Sequence, residues 1–331
     1  MSESLAVAQP GTQARPAVLD PRRKLQLALG VLWLLDGILQ FQPSMFTKSF
    51  PQMLAESAQG NPAVIASPIT WSANIIGHHV VVLNAVFATI QLALGLGIAW
   101  RPTVKLALGA SVAWSLGVWW FGEGLGGVLA GTASPVNGAP GGVVLYALLA
   151  VLLWPADRPA GQAADRPAGQ AAGRPVGQGA AAPFVAAQAV GRRTAQALWL
   201  VLWGSLAYFA LTPASRAPQA ISGMILQMAP GEPAWLAWID THAATALNHH
   251  GLTASIVLAA ICAVVAVGSY RPTRTIIVLA LVTAVALALA QGLGGIFTGG
   301  ATDPNSGPLL ALLVLAFWPA TAKPATAEGR A

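Results

Sequence analysis

Eight apolar runs limit what this chain can fold into: residues 25–41, 79–100, 104–121, 141–154, 195–211, 252–270, 275–291 and 308–318. A hydrocarbon core of roughly 30 Å takes about 20 helical residues to cross, with about 17 as a practical lower limit. Six runs reach that length. The fourth and eighth fall short, which fits tilt, flanking tryptophan or burial within protein. With 55% hydrophobic and only 8% charged residues, the chain has too few charges to cover a water-soluble globule of 331 residues. The expected class is an all-α integral membrane protein with eight transmembrane helices, so its first partner is the lipid bilayer.

The runs form two sets of four. Between them lies DRPAGQAADRPAGQAAGRPVGQ, an eight-residue motif repeated almost three times, whose proline, glycine, alanine and arginine cannot bury a core. The sets align as Arg22-Arg23 with Arg192-Arg193, Trp33 with Trp203, Pro43 with Pro213, and His78-His79 with His249-His250. Arg101-Pro102-Thr103 likewise matches Arg271-Pro272-Thr273, and Asn137 matches Asn305. Matches in order at a nearly constant spacing point to tandem duplication of a four-helix unit. The expected organisation is a disordered cytoplasmic tail over 1–21, a first unit over 22–155, a disordered linker over 156–190, a second unit over 191–319 and a cytoplasmic tail over 320–331. The first twenty residues carry neither the apolar centre nor the cleavage site of a signal peptide.

Placing both termini in the cytoplasm puts every lysine and arginine on that side except Lys48 and Arg216. The expected location is the cell membrane, multi-pass. An even number of spans per unit makes the two bundles parallel repeats about an axis along the membrane normal. The net charge of +6 sits at the ends of apolar runs and not on one basic face, which argues against nucleic acid as a partner. The single cysteine, Cys262, lies inside an apolar run, leaving no disulfide framework and no CxxC motif.

This topology gathers the polar chemistry on the outer side, where the long loops 44–77 and 214–248 and both glycine-rich loops also fall. His78, His79, His242, His249 and His250 fall near that interface, together with Met45, Met53, Met224 and Met228. His242 and His249 are two turns apart if one helix carries both, and with thioether neighbours they suit copper; as interfacial caps and anchors they need no metal. Asp36 falls well inside the first run, where a carboxylate must face protein or water, and Leu206 stands at its place in the second half. Asp36 is a candidate for proton relay or ligand anchoring, or else a hydrogen-bonded structural aspartate. Glu123 is the second catalytic candidate, and its counterpart is Gln291, so the halves are not expected to share one chemistry. GLGGVLAGTASPVNGAP and GLGGIFTGGATDPNSGP are matching loops before runs four and eight, and Asn137, Asp303 and Asn305 are their candidate ligand-facing residues. GEGLGG satisfies GxGxxG by spacing only, since neither the strand nor the βαβ setting is present.

LALGVLWLLDGILQFQPSMF, followed by QLALGLGIAWRP, resembles the start of the DoxX/DoxD family of small four-helix membrane proteins. The shared features are the glycine and aromatic pattern of the first span, Gln91 opening a glycine-rich second span, and Arg101 after it. Gln40 stands near where a lysine often ends that first span. The resemblance implies a four-helix bundle, here doubled, and through the DoxD branch an association with thiosulfate:quinone oxidoreductase. The expected function is a membrane subunit of a quinone-linked redox complex, with quinone as cofactor and a redox partner protein on the outer face. WSLGVWWFGEGLGG fits a quinone neighbourhood or an interfacial aromatic belt. Two alternatives stay open: a transporter of a small solute or metal ion, with the short runs four and eight as its broken spans, and a non-catalytic assembly protein.

Overall fold

The computed structural model describes residues 20–155, 184–270 and 273–319. The expected N-terminal tail up to residue 19, the linker over 156–183, Arg271-Pro272 and the C-terminal tail from 320 lie outside the described residues. Within them the chain is helical and has no strand. The N-terminal half contains α1 (Pro21–Leu39), α2 (Ser49–Ser57), α3 (Ala63–His78), α4 (Val80–Ala99), α5 (Val104–Phe121) and α6 (Gly142–Leu152). The C-terminal half contains α7 (Val185–Val190), α8 (Arg192–Ala210), α9 (Pro213–Arg216), α10 (Ala220–Leu226), α11 (Ala234–Leu247), α12 (Gly251–Val267), α13 (Arg274–Ala290) and α14 (Ser306–Ala316).

Three helical stretches, Val80–Ala99, Arg101–Phe121 and Gly251–Tyr270, are long and apolar enough to cross a membrane. Gly142–Leu152, Arg274–Ala290 and Ser306–Ala316 are apolar but shorter. Helices α1 and α8 have 19 residues each and begin with paired arginines. Those arginines do more than mark an end. Arg23 donates from Nη1 to Ile98 O at 2.8 Å and from Nη2 to Ala99 O, capping the last carbonyls of α4.

Two sequence expectations change. The stretches read as long outer connections, 44–77 and 214–248, are mostly helical. Pro62 and Pro233 stand at the N-caps of α3 and α11, where a missing amide costs nothing, and Ile65, Ile69, Ala73 and Ile76 recur at helical spacing on the buried side of α3. The ordered second half also begins earlier than residue 191. Phe184 is buried, stacks on Phe317 at 5.0 Å, and leads into α7, which the composition of the linker had concealed.

Helix α1 lies along α4 and α8 along α12; α5 pairs with α6 and α13 with α14, while α6 and α14 touch each other at the centre. The α1–α4 contact is set by glycine. A methyl group on Gly95 would come within 2.7 Å of Gly30 O and 2.6 Å of Leu34 Cγ, and one on Gly37 would meet Leu92 Cγ at 2.7 Å. Small residues let the two backbones approach, as in packed membrane helices. Gly95→Leu is expected to cost roughly 1–3 kcal/mol by overpacking. It should lower the thermal midpoint in detergent, read by circular dichroism, while Gly117→Ala, with no heavy atom within 4 Å, should leave it nearly unchanged.

Candidate functional site

Asp36 is 1% exposed on α1, and its Oδ1 has no protein partner. The helical repeat puts Gln40 one turn further along, also buried, with Oε1 unpaired. Across the seam on α4, Asn84 donates from Nδ2 to Gln40 O at 2.7 Å, and two turns beyond it Gln91 brings another unpaired Oε1. Tyr146 on α6 turns its hydroxyl toward the Asp36 carboxyl, and its ring lies 4.2 Å from that of Trp33. Trp33 is itself fixed by donation from Nε1 to Ser111 Oγ at 3.0 Å.

Asp36, Gln40 and Gln91 border a cavity of about 410 Å³. Phe50, Trp71, Ile76, Phe87, Trp114 and Phe121 supply its apolar walls, and Asp36, Gln40, Gln91, Glu123 and Asp303 its polar patches. The rings of Phe50 and Phe87 meet at 6.3 Å and those of Phe87 and Trp114 at 5.6 Å, forming an aromatic side. Five polar atoms on the lining residues have no protein partner: Asp36 Oδ1, Gln40 Oε1, Gln91 Oε1, Glu123 Oε2 and Trp114 Nε1. An unsatisfied buried polar group costs about 1–3 kcal/mol, so their concentration around one space makes it the candidate binding site.

A second cavity, of about 440 Å³, abuts the first and is walled mainly by the two glycine-rich loops. Asn137, Asp303 and Asn305, expected to face a ligand, do share this cavity. Both loops bend through positive φ at a non-glycine residue, Leu125 at 57° and Leu293 at 50°, a strained conformation outside glycine. Asn305 caps α14, its Oδ1 accepting from Ser306 N at 2.6 Å, and packs where Gly138, at φ 88°, leaves no room for a side chain.

Glu123 and Asp303 stand at the boundary and line both cavities. A methyl group on Gly142 would lie 3.1 Å from Asp303 Oδ1 and 3.5 Å from Glu123 Oε1, so the two carboxyls flank one glycine. Asp303 is held by donation from Asn305 N at 2.7 Å and Thr302 Oγ1 at 3.0 Å. Glu123 Oε1 accepts from Val143 N at 3.2 Å, whereas Oε2 is free. Burial, and then the neighbouring Asp303, push the Glu123 carboxyl up to about 8 against hydrogen bonds from Val143 and Gly142. Burial also raises Asp303, opposed by its bonds to Asn305 and Thr302.

Gln291, the counterpart of Glu123, is fully engaged. It donates from Nε2 to Pro135 O at 2.9 Å and to Ser306 Oγ at 3.0 Å, and its Oε1 accepts from Gly307 N at 3.2 Å. Leu206, opposite number of Asp36, is part of the solid core. The tryptophan-rich stretch divides three ways: Trp114 lines the first cavity, Trp119 donates to Pro140 O at 2.7 Å, and Trp120 is partly exposed and stacks on Phe121. Sequence reasoning did not find Tyr146, Phe87 or the Glu232–Asp240 pair, whose carboxyls face each other beside Gly292. Alternating polar residues along α4, Asn84 and Gln91, were the available signal for the cavity wall.

The histidines are not assembled. All five are exposed. The chain leaves α11 after Leu247 and turns at His249, with φ 63°, before α12, so His242 and His249 do not share a helix. His242 donates from Nδ1 to Trp238 O at 2.7 Å and stacks on that ring, His78 donates to Asn74 O at 2.8 Å, and Gln219 Nε2 donates to His249 Nδ1 at 3.2 Å. His79 and His250 take up the caps before α4 and α12. Among the described residues no group of three or more histidine, cysteine or acidic side chains is arranged to hold a metal ion, which removes the geometric basis for copper at His78, His79, His242, His249 or His250.

A scan against protein-family models, a search of curated proteins and a search of solved structures each find no match for the chain.

The raised Glu123 gives a signed pH dependence. Folded protein keeps a proton on Glu123 up to about 8, whereas the unfolded chain releases it near 4.5, so stability falls as pH rises between those values. In Glu123→Gln this contribution is absent. Thermal midpoints measured across that window should fall less steeply in the variant than in the native protein, and at the upper end the variant should be the more stable of the two.

Proposed function

We propose that the chain is a multi-pass cell-membrane protein of two tandem four-helix units, eight spans in all, that holds a quinol-class molecule in the first unit's cavity as the membrane subunit of a redox assembly. The observation that carries this reading is the cavity itself: aromatic walls at the depth of apolar helices, with unpaired acceptors on Asp36, Gln40, Gln91 and Glu123. A flat ring with two hydroxyl groups and an apolar tail matches such a space, with the hydroxyls donating to those acceptors and the ring against Phe87 and Trp114. When bound, a quinol supplies electrons in pairs together with protons. The chain's own residues orient the head group, exclude bulk water and offer Asp36 as a proton-relay group.

Duplication is supported by the recurrence of helix pairing and of positive φ at Leu125 and Leu293. The spread of lysine and arginine supports cytoplasmic termini, with the glycine-rich loops and both cavities toward the outer face. Electrons from the quinol need a partner, and the polar outer face is where a redox protein would dock. The exposed histidines fit interfacial anchoring better than metal transport.

Trp71 and Trp114 report occupancy directly, because quinones quench indole fluorescence. Titration with a lipophilic quinone analogue should give saturable quenching that Trp114→Phe reduces. Displacement of the analogue by a reduced quinol, whose hydroxyls can donate to these acceptors, should weaken about tenfold or more in Gln91→Leu and in Asp36→Leu, the value of a lost hydrogen bond to a buried acceptor. Quenching that does not saturate, or displacement indifferent to both substitutions, overturns the reading.

A further inference from the structure

The two cavities meet at Glu123 and Asp303, one carboxyl from each half of the chain. The apolar cavity contains Asp36 and is walled largely by aromatic side chains, whereas the polar cavity reaches Glu56, Gln59 and Asn137, all exposed. No lysine, arginine or histidine is among the described lining residues of either space, so neither boundary carboxyl is locked in an ion pair there. Asp303 is fixed by two donors, and the Glu123 bond from Val143 N falls on Oε1, leaving Oε2 buried without a protein partner. Gly141 lets Oε2 pack against the backbone, since a methyl group there would collide with it. In the other half the same position is Gln291, which cannot carry a proton and has every bond satisfied within the loop junction. The titratable groups around Glu123 are Asp303 from the loop before α14, Asp36 from α1 and Tyr146 from α6.

We propose that Glu123 and Asp303 are the proton outlet of the apolar cavity, passing protons from Asp36 to the polar cavity across the junction of the two halves, with Glu123 Oε2 as the receiving atom. The role rests on the reading of the apolar cavity as a quinol site, where protons must leave a space without bulk water. Glu123, protonated at rest, first gives its proton to the polar cavity by way of Asp303 and then takes on Oε2 the proton that leaves Asp36; a proton from the quinol hydroxyl refills Asp36, so each carboxyl returns to its starting state. A carboxyl held protonated near neutral pH is suited to that exchange.

The test follows the Asp36 proton without any quinol. In protein held in lipid nanodiscs, the carboxylic C=O band lost in Asp36→Asn is assigned to Asp36, and its deuterium exchange is timed after transfer to D₂O. Glu123→Gln and Asp303→Asn should each slow exchange by roughly a hundredfold, in the range of a lost acid–base group. Glu123→Asp should restore most of the rate. Native rates in both folded variants, or no Asp36 band in the native protein, overturn the proposal. Should the variants not fold, the native chain still decides. Glu123 should be modified by both a lipophilic and a water-soluble carbodiimide, as peptide mass spectrometry would show, and reaction with only one of them rules out a carboxyl open to both cavities. Saturable quinone quenching with unchanged exchange defeats the proton outlet alone, while slowed exchange without saturable quenching defeats the quinol reading alone.

Discussion

The contact between the two glycine-rich loops is the constraint on which the rest of the structure depends. Gln291 from one half donates to Pro135 O of the other, Asn305 fills the space beside Gly138, and α6 packs on α14 directly beneath. Gly138 leaves room for the Asn305 side chain, and the Gln291 side-chain amide reaches a backbone carbonyl of the facing loop. That junction carries Asp303 from the C-terminal half to the edge of a cavity built almost wholly by the N-terminal half. Without it the two carboxyls would belong to separate bundles, and each would be solvated independently.

Much of the scaffold was legible in the sequence because helix length and apolar content are local properties. The ends of α1, α4, α5 and α12 lie within a few residues of the apolar runs. The connections were misread for a physical reason: α3 and α11 are introduced by proline, and polar residues interrupt their apolar positions, so no unbroken run forms. Phe184 and α7 were hidden by the low-complexity composition that precedes them.

The site was legible in part. Asp36 and Glu123 stood out because carboxylates are rare in apolar surroundings, and both line the cavity. Asn137, Asp303 and Asn305 were flagged by repetition, and they do come together. Tyr146 gave no signal, since a tyrosine in an apolar helix is ordinary until its hydroxyl is seen opposite an aspartate. The histidine pairs misled for the converse reason. Their repetition reflects a helix boundary kept in both halves, and the turn at His249 separates side chains that a continuous helix would have aligned. The halves differ specifically: Leu206 and Gln291 are satisfied within the scaffold of the C-terminal half, while Asp36 and Glu123 leave the N-terminal half with unmet hydrogen-bonding capacity.

The rim of the apolar cavity includes Trp71, 64% exposed, and Phe121, 39% exposed. With the helices crossing a bilayer as proposed, such a mouth would face acyl chains and not water. A lipophilic ligand would then arrive by two-dimensional diffusion, and its effective concentration would be moles per volume of lipid. Apparent affinity would consequently shift with the lipid-to-protein ratio, and detergent alkyl chains would compete for the same entrance.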